Sequence, residues 1–214
     1  MGLGGGVSVP AGAVVVVVAS CPGAGASDTV TDSQGNSYTL ISTVAGYGSI
    51  FYSVLSTGLT GSPTFSRDSI TYDATGIGGI ALSAMSITGV AASSPLDAAV
   101  TARASGGSGS SPSVTSGTPS SAGEAMVAGL AYDSGATFTQ DTTNGWSTPP
   151  ARAVSTINDV AVGGSQVVAG AAAKTFAPTL SSGSNWAAWI IGFLPVQSQV
   201  PYTPTAQLGP IIAQ

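Results

Sequence analysis

The residues that could do chemistry are few, and what is missing narrows the field. The chain has 9 Asp and Glu, 4 Lys and Arg, and no His. Ser-His-Asp and Cys-His nucleophilic systems need an imidazole base. Ligated zinc and iron centres commonly need the same ring. The single cysteine, Cys21, cannot build a thiolate metal site or an intrachain disulfide. A glycosidase needs two facing carboxylates. Glu124 is the one glutamate, so an aspartate would have to supply at least one of them. The expectation is a protein that is not an enzyme and carries no cofactor.

The stretch Thr31-Asp32-Ser33-Gln34-Gly35-Asn36-Ser37-Tyr38-Thr39-Leu40 reads either as a hairpin tip or as a metal loop. Calcium takes roughly six to eight oxygens. Asp28, Asp32 and Asn36 are weak calcium candidates, because together they supply only three side chains. An Asp opening a turn and a Gly near its end instead provide the backbone bonding and positive φ of a hairpin. The turn reading is preferred, with no metal, and it expects Asp32→Ala to cost about 1 kcal/mol or less. Other aspartates stand in similar turn contexts, such as Tyr72-Asp73-Ala74 and Tyr132-Asp133-Ser134-Gly135.

Trp146, in Asn144-Gly145-Trp146-Ser147, falls in a loop. It is expected to be exposed, and it is the candidate sugar contact. Trp186 and Trp189 have opposite parity on one strand. They should face opposite sides of a sheet and serve packing. Gly2 to Gly6 is not followed by a helix, so it is no phosphate cradle.

The elements that must position these residues read as strands. Val, Ile, Thr and Tyr recur in short runs cut by Gly, Pro, Ser and Asp, which is the pattern of a sandwich or barrel. Strands are expected at Val7 to Val9, Ala13 to Ser20, Asn36 to Thr43, Ser49 to Leu55, Pro63 to Ser66, Ser69 to Tyr72 and Gly79 to Val90. Further strands are expected at Glu124 to Tyr132, Val154 to Ile157, Gln166 to Ala172 and Trp186 to Leu194. Ala13 to Ser20 is nearly continuous Val, as in a strand buried on both faces. Ser49 to Leu55 should put Ile50, Tyr52 and Val54 on one face and Phe51 and Leu55 on the other.

Charge limits the partners. Only 6% of residues are charged and the net charge is −5, so a nucleic-acid partner, which needs phosphate-neutralising cations, is not expected. The longest apolar run, Ala13 to Ala19, is far short of the roughly 20 residues of a membrane-spanning helix. Met1 opens directly into glycines, with no basic region and no apolar signal core. No membrane span and no Sec targeting are expected. A charge-poor Ser/Thr surface keeps little solubility through repulsion, which suits a subunit covered by its neighbours.

The order of features resembles a known module. It runs from Thr31-Asp32-Ser33-Gln34-Gly35-Asn36-Ser37-Tyr38 through Phe51-Tyr52 to Ile87-Thr88-Gly89-Val90 and Ser94-Pro95-Leu96-Asp97. Gly123-Glu124-Ala125-Met126-Val127, Gly145-Trp146 and Trp186-Ala187-Ala188-Trp189 complete it. This is similar to a β-sandwich module of tailed-bacteriophage virion proteins and bacterial surface proteins, mostly of unassigned activity. The resemblance covers roughly residues 6 to 195 and brings no catalytic residues.

The expected fold is all-β: an antiparallel β-sandwich, jelly-roll-like, with an extended C-terminal arm. Residues 1–195 form one domain, with 104–123 as a Gly/Ser/Pro-rich connection inside it. Residues 196–214 form the arm, in which Tyr202, Leu208, Ile211 and Ile212 are the partner-binding anchors. The expected role is a structural accessory protein of a tailed-bacteriophage virion: a capsid decoration, head-fibre or similar surface subunit, assembled in the host cytoplasm. Its partners would be other virion proteins, as a homo-oligomer or capsid-bound. The alternative is a carbohydrate-binding adhesin module on a phage tail or cell surface, which would bind host surface glycans.

Overall fold

A computed structural model of the chain describes residues 7–21, 28–61, 63–68, 80–133, 135–148, 151–154 and 160–196. Every regular element among them is a β-strand. The first half supplies β1 (Val7–Val9), β2 (Val14–Ser20), β3 (Thr29–Asp32), β4 (Ser37–Val44), β5 (Gly48–Val54), β6 (Leu59–Gly61), β7 (Phe65–Asp68) and β8 (Ala81–Ile87). The second half supplies β9 (Leu96–Gly109), β10 (Val114–Thr115), β11 (Ala125–Tyr132), β12 (Phe138–Thr139), β13 (Ala151–Val154) and β14 (Val160–Val167). It ends with β15 (Thr175–Phe176), β16 (Thr179–Leu180) and β17 (Ser184–Phe193).

Two large antiparallel sheets form the sandwich. One has the order β7-β3-β4-β5-β2-β8 and the other β13-β14-β11-β17-β9. Each sheet is drawn from one half of the chain, so strands do not alternate between sheets along the sequence. Three two-stranded ribbons, β1-β6, β10-β15 and β12-β16, complete the fold.

Period-two alternation divides the apolar side chains into three layers. Between the sheets lie Val14, Val16, Val18 and Ile50 of the first sheet, with Val127, Ala187, Trp189, Ile191 and Phe193 of the second. The outer face of the first sheet buries Val15, Val17, Val30, Tyr38 and Phe51, together with Leu59 of β6. The outer face of the second buries Met126, Leu130, Tyr132, Ile190 and Trp186, with Val114, Phe176 and Leu180 from the ribbon strands. This explains why β2 is buried at every position and apolar at all but Ser20: both of its faces are covered. The split foreseen for β5 is also found. Ile50, Tyr52 and Val54 face the middle layer, and Phe51 and Leu55 the outer one.

The sheets approach closely at glycine. A Cβ on Gly48 would collide with the Ala19 carbonyl and would stand 2.8 Å from Ala131 Cβ, across the sandwich. On the facing sheet, a Cβ on Gly129 would stand 2.7 Å from a Val18 methyl. Contacts of this length force side chains off their rotamers or move the backbone.

Several strand expectations need correcting. The connection foreseen at 104–123 begins only after Gly109, because Ala104 to Gly109 belong to β9. The reason lies on the neighbouring strand. Trp186 pairs opposite Gly106, and a Cβ on Gly106 would stand 2.8 Å from the indole ring. Gly106 and Gly109, which resemble linker glycines, are clearance for a tryptophan. The strand placed at Gln166 to Ala172 lies earlier, at Val160–Val167, pairing with β11 from Ala125↔Val167 to Tyr132↔Val160. The expected strand at Ser69 to Tyr72, part of that at Val154 to Ile157, and the arm from residue 197 fall outside the described residues.

The middle layer carries the expectation of one domain, since neither half covers its own inner face. Proteolytic cleavage within residues 110–122 should leave the two pieces associated through a single thermal transition. Size-exclusion chromatography of the nicked protein checks this, and separation into two folded fragments would refute it.

Candidate functional site

The Asp32 loop is held from within. The Asp32 Oδ1 atom accepts the Gln34 N–H at 2.9 Å, the Asn36 N–H at 3.1 Å and the Asn36 side-chain amide at 3.2 Å. Its Oδ2 accepts that amide at 2.9 Å and the Tyr38 hydroxyl at 2.9 Å. Asn36 then ties the hairpin to the chain after β5. Its Oδ1 accepts the Ser56 N–H, the Ser56 hydroxyl and the Thr57 N–H, each at 3.0 Å. Gly35 supplies the positive φ of +80° on which the turn depends. Asp32 and Asn36 are both buried. Burial pushes the Tyr38 hydroxyl far above its ordinary pKa, and the hydrogen bond to Asp32 and the charge of Asp32 add to that.

The calcium candidates are therefore only partly brought together. Asp32 and Asn36 meet, but their oxygens are spent on protein donors. Asp28 accepts the Ser49 hydroxyl on β5 at 3.2 Å. No group of three or more His, Cys, Asp or Glu suited to a metal occurs among the described residues.

The same economy repeats elsewhere. Asp141 accepts the Asn144 N–H at 3.1 Å, the Asn144 amide at 2.8 Å and the Ala177 N–H at 2.7 Å. Asp133 accepts the Ser184 hydroxyl, the Asn185 N–H and the Asn185 amide, fastening the turn after β11 to the start of β17. Each aspartate satisfies backbone donors that a sheet ladder leaves unpaired at a loop.

The expected exposure of Trp146 is overturned. The side chain is 2% exposed. Its indole N–H donates to the Thr175 carbonyl at 2.8 Å, and its ring meets Phe176 edge-on with centroids 5.4 Å apart. A ring buried under the second sheet cannot stack on a sugar. The segment carrying Thr175 and Phe176 covers it, and that contact is remote in sequence. Trp186 and Trp189 lie on opposite faces of β17, and both are buried.

One cluster escaped the sequence reading. Asp97, at the start of β9, and Glu124, just before β11, are both buried, Glu124 completely. Asp97 Oδ1 accepts the Ala99 N–H at 2.9 Å, and its Oδ2 accepts the Ser120 N–H at 2.9 Å and the Ser120 hydroxyl. Glu124 Oε1 accepts the Ser121 N–H at 2.7 Å and the Ser121 hydroxyl at 3.3 Å. The two carboxyl groups hold the adjacent residues Ser120 and Ser121 and lie close enough for each to shift the other's pKa. Burial and the neighbouring Asp97 carboxyl hold Glu124 above the ordinary glutamate pKa, although the Ser121 bonds oppose this. Burial also opposes ionisation of Asp97, but the bonds from Ser120, Ala99 and Glu124 outweigh it and hold that group low. The only advance signal was the presence of one glutamate in a chain so poor in charge.

A cleft of about 410 Å³ is lined by Thr43, Val44, Ala45, Arg103, Ala104 and Ser105. Arg103 spans it, donating to the Thr43 carbonyl at 2.8 Å. An apolar recess of about 180 Å³ lies beside β8, between Val9, Leu59, Phe65 and Met85. No known protein family, curated protein or solved structure matches this chain.

Proposed function

We propose that this chain is a structural accessory subunit on the surface of a tailed-bacteriophage virion, assembled in the host cytoplasm and docked on neighbouring copies or capsid proteins. The observation that carries the reading is the use made of the carboxylates. Asp32, Asp97, Asp133 and Asp141 each fasten a loop of the protein's own sandwich, as a rigid scaffold requires. The low charge favours a surface covered by neighbours. The adhesin alternative loses its aromatic contact with the burial of Trp146.

In this reading residues 197–214 are the docking arm, with Tyr202, Leu208, Ile211 and Ile212 as anchors. Each anchor contributes about 1.5–3 kcal/mol if fully buried. Ordering the arm costs roughly 1–2 kcal/mol per residue, less where proline already restricts the chain. Summed over the arm, the ordering cost exceeds what the four anchors contribute, so docking needs further contacts from a partner. Val196 still belongs to the sandwich, because its N–H donates to the Gly89 carbonyl at 2.9 Å.

Deletion of residues 197–214 should therefore leave the melting temperature nearly unchanged while weakening incorporation into particles that lack the subunit. Occupancy is read by cryo-electron microscopy or quantitative gel analysis. Equal occupancy for both chains would remove the docking role of the arm. If the full chain itself failed to bind, the virion reading would fall.

A further inference from the structure

We propose that Asp97 and Glu124 share a single proton and act as a pH-sensitive latch, holding the connection before β11 onto the sandwich and releasing it when that proton is lost. Three observations place the proton. Glu124 is completely buried, and its Oε2 has no donor. An ionised oxygen left so would carry the full desolvation penalty of a charge. As a carboxylic acid, that oxygen instead carries the hydrogen bonded to Asp97. Asp97 is the natural acceptor, since Ala99 and Ser120 already stabilise its ionised form.

What the latch fastens follows from the same bonds. Asp97 lies at an irregularity of the β9-β17 ladder, where Ile190 pairs with Ala102 but Gly192 pairs with Asp97. Asp97 braces this bulge through the Ala99 N–H and holds the connection through Ser120. Glu124 holds the adjacent residue, Ser121. The start of β9 and the approach to β11 are thus tied through one pair of carboxyls. The ladder beside Glu124 presents Phe193 on β17 and Val167 on β14 at the level of Ala125. Neither carries a charge, so Asp97 is the titratable group that faces it.

Loss of the proton leaves two carboxylates in contact in a buried place, an arrangement in which both do not readily ionise. Glu124 is held above the ordinary glutamate value of 4.5, so its contribution to stability is complete below that value and is lost as pH rises through the raised one. Asp97 is held below the ordinary 3.8, so its contribution is present above that value and is lost as pH falls through the lowered one. The latch is closed between the two and opens at its alkaline end.

Glu124 is the one glutamate in the chain, so carboxyl-labelled [13C]glutamate gives a one-residue probe in the intact protein. The expected titration has a midpoint above the ordinary glutamate value. Between the ordinary value and that midpoint, Ser120 and Ser121 amide protection should fall about tenfold per pH unit relative to Val127 in β11, as for opening coupled to one proton, and it should level off beyond the midpoint. Glu124→Gln should abolish the titration and leave this protection ratio independent of pH. A labelled midpoint at or below the ordinary value overturns the proposal. So does a Ser120/Ser121 protection ratio that stays flat between the ordinary value and the midpoint. If Glu124→Gln does not fold, the wild-type label and exchange data decide alone.

Discussion

Replacement of Asp32 with Ala is expected to lower the unfolding free energy by about 3 kcal/mol, equally with and without calcium. This is more than a typical turn aspartate contributes, and the difference comes from burial. The carboxylate accepts from Gln34 N–H, Asn36 N–H, the Asn36 amide and the Tyr38 hydroxyl. Its removal leaves the buried hydroxyl of Tyr38 without that acceptor and frees the Asn36 amide that bridges to Thr57. Buried polar groups left unsatisfied cost about 1–3 kcal/mol each. Asn36 would then hold Ser56 and Thr57 less firmly, so the junction after β5 should loosen with the turn. Urea unfolding of the wild type and Asp32→Ala, each with calcium and with chelator, measures both points. A loss below about 1 kcal/mol would mean that water replaces these bonds freely. A calcium-dependent stabilisation that disappears in Asp32→Ala would restore the metal reading of the loop.

Trp189→Ala should cost about 3–5 kcal/mol, the range for large aromatic truncations in a packed core. Trp189 is fully buried in the middle layer of the sandwich. It pairs opposite Gly129 on β11, and a Cβ on Gly48 would stand 3.3 Å from its ring. Gly48 on the facing sheet thus makes room for this side chain, and its loss leaves a cavity that two rigid sheets cannot close. Trp189→Phe separates packing from hydrogen bonding. The indole N–H is buried without an acceptor, so the phenyl ring removes an unsatisfied donor while keeping much of the volume. The Phe variant should lose well under half of what the Ala variant loses. Thermal and urea unfolding of both variants check this. Equal losses would show that the indole N–H is satisfied in solution.

The sequence alone determined that the chain is all-β, and it placed the strands whose patterning is local. β1 was located to the residue, and β2, β5 and β11 to within one residue at either end. Runs of Val, Ile and Tyr announce a strand whatever it pairs with, and alternation announces its faces, as with Ile50, Tyr52 and Val54 against Phe51 and Leu55. The Asp32 turn was legible for the same reason: most donors to that carboxylate lie within six residues of it. Tertiary structure decided what distant segments do to one another. Ala104 to Gly109 carry no strand signal of their own and become strand because β17 pairs with them, with Trp186 lying where side chains on Gly106 and Gly109 would stand. Trp146 looks like a loop aromatic until Thr175 and Phe176 cover it. Asp97 and Glu124 look like two unrelated acids until the ends of β9 and β11 bring their carboxyls together. Side-chain periodicity is written into neighbouring residues, whereas burial and proton sharing depend on which remote backbone the fold lays beside them.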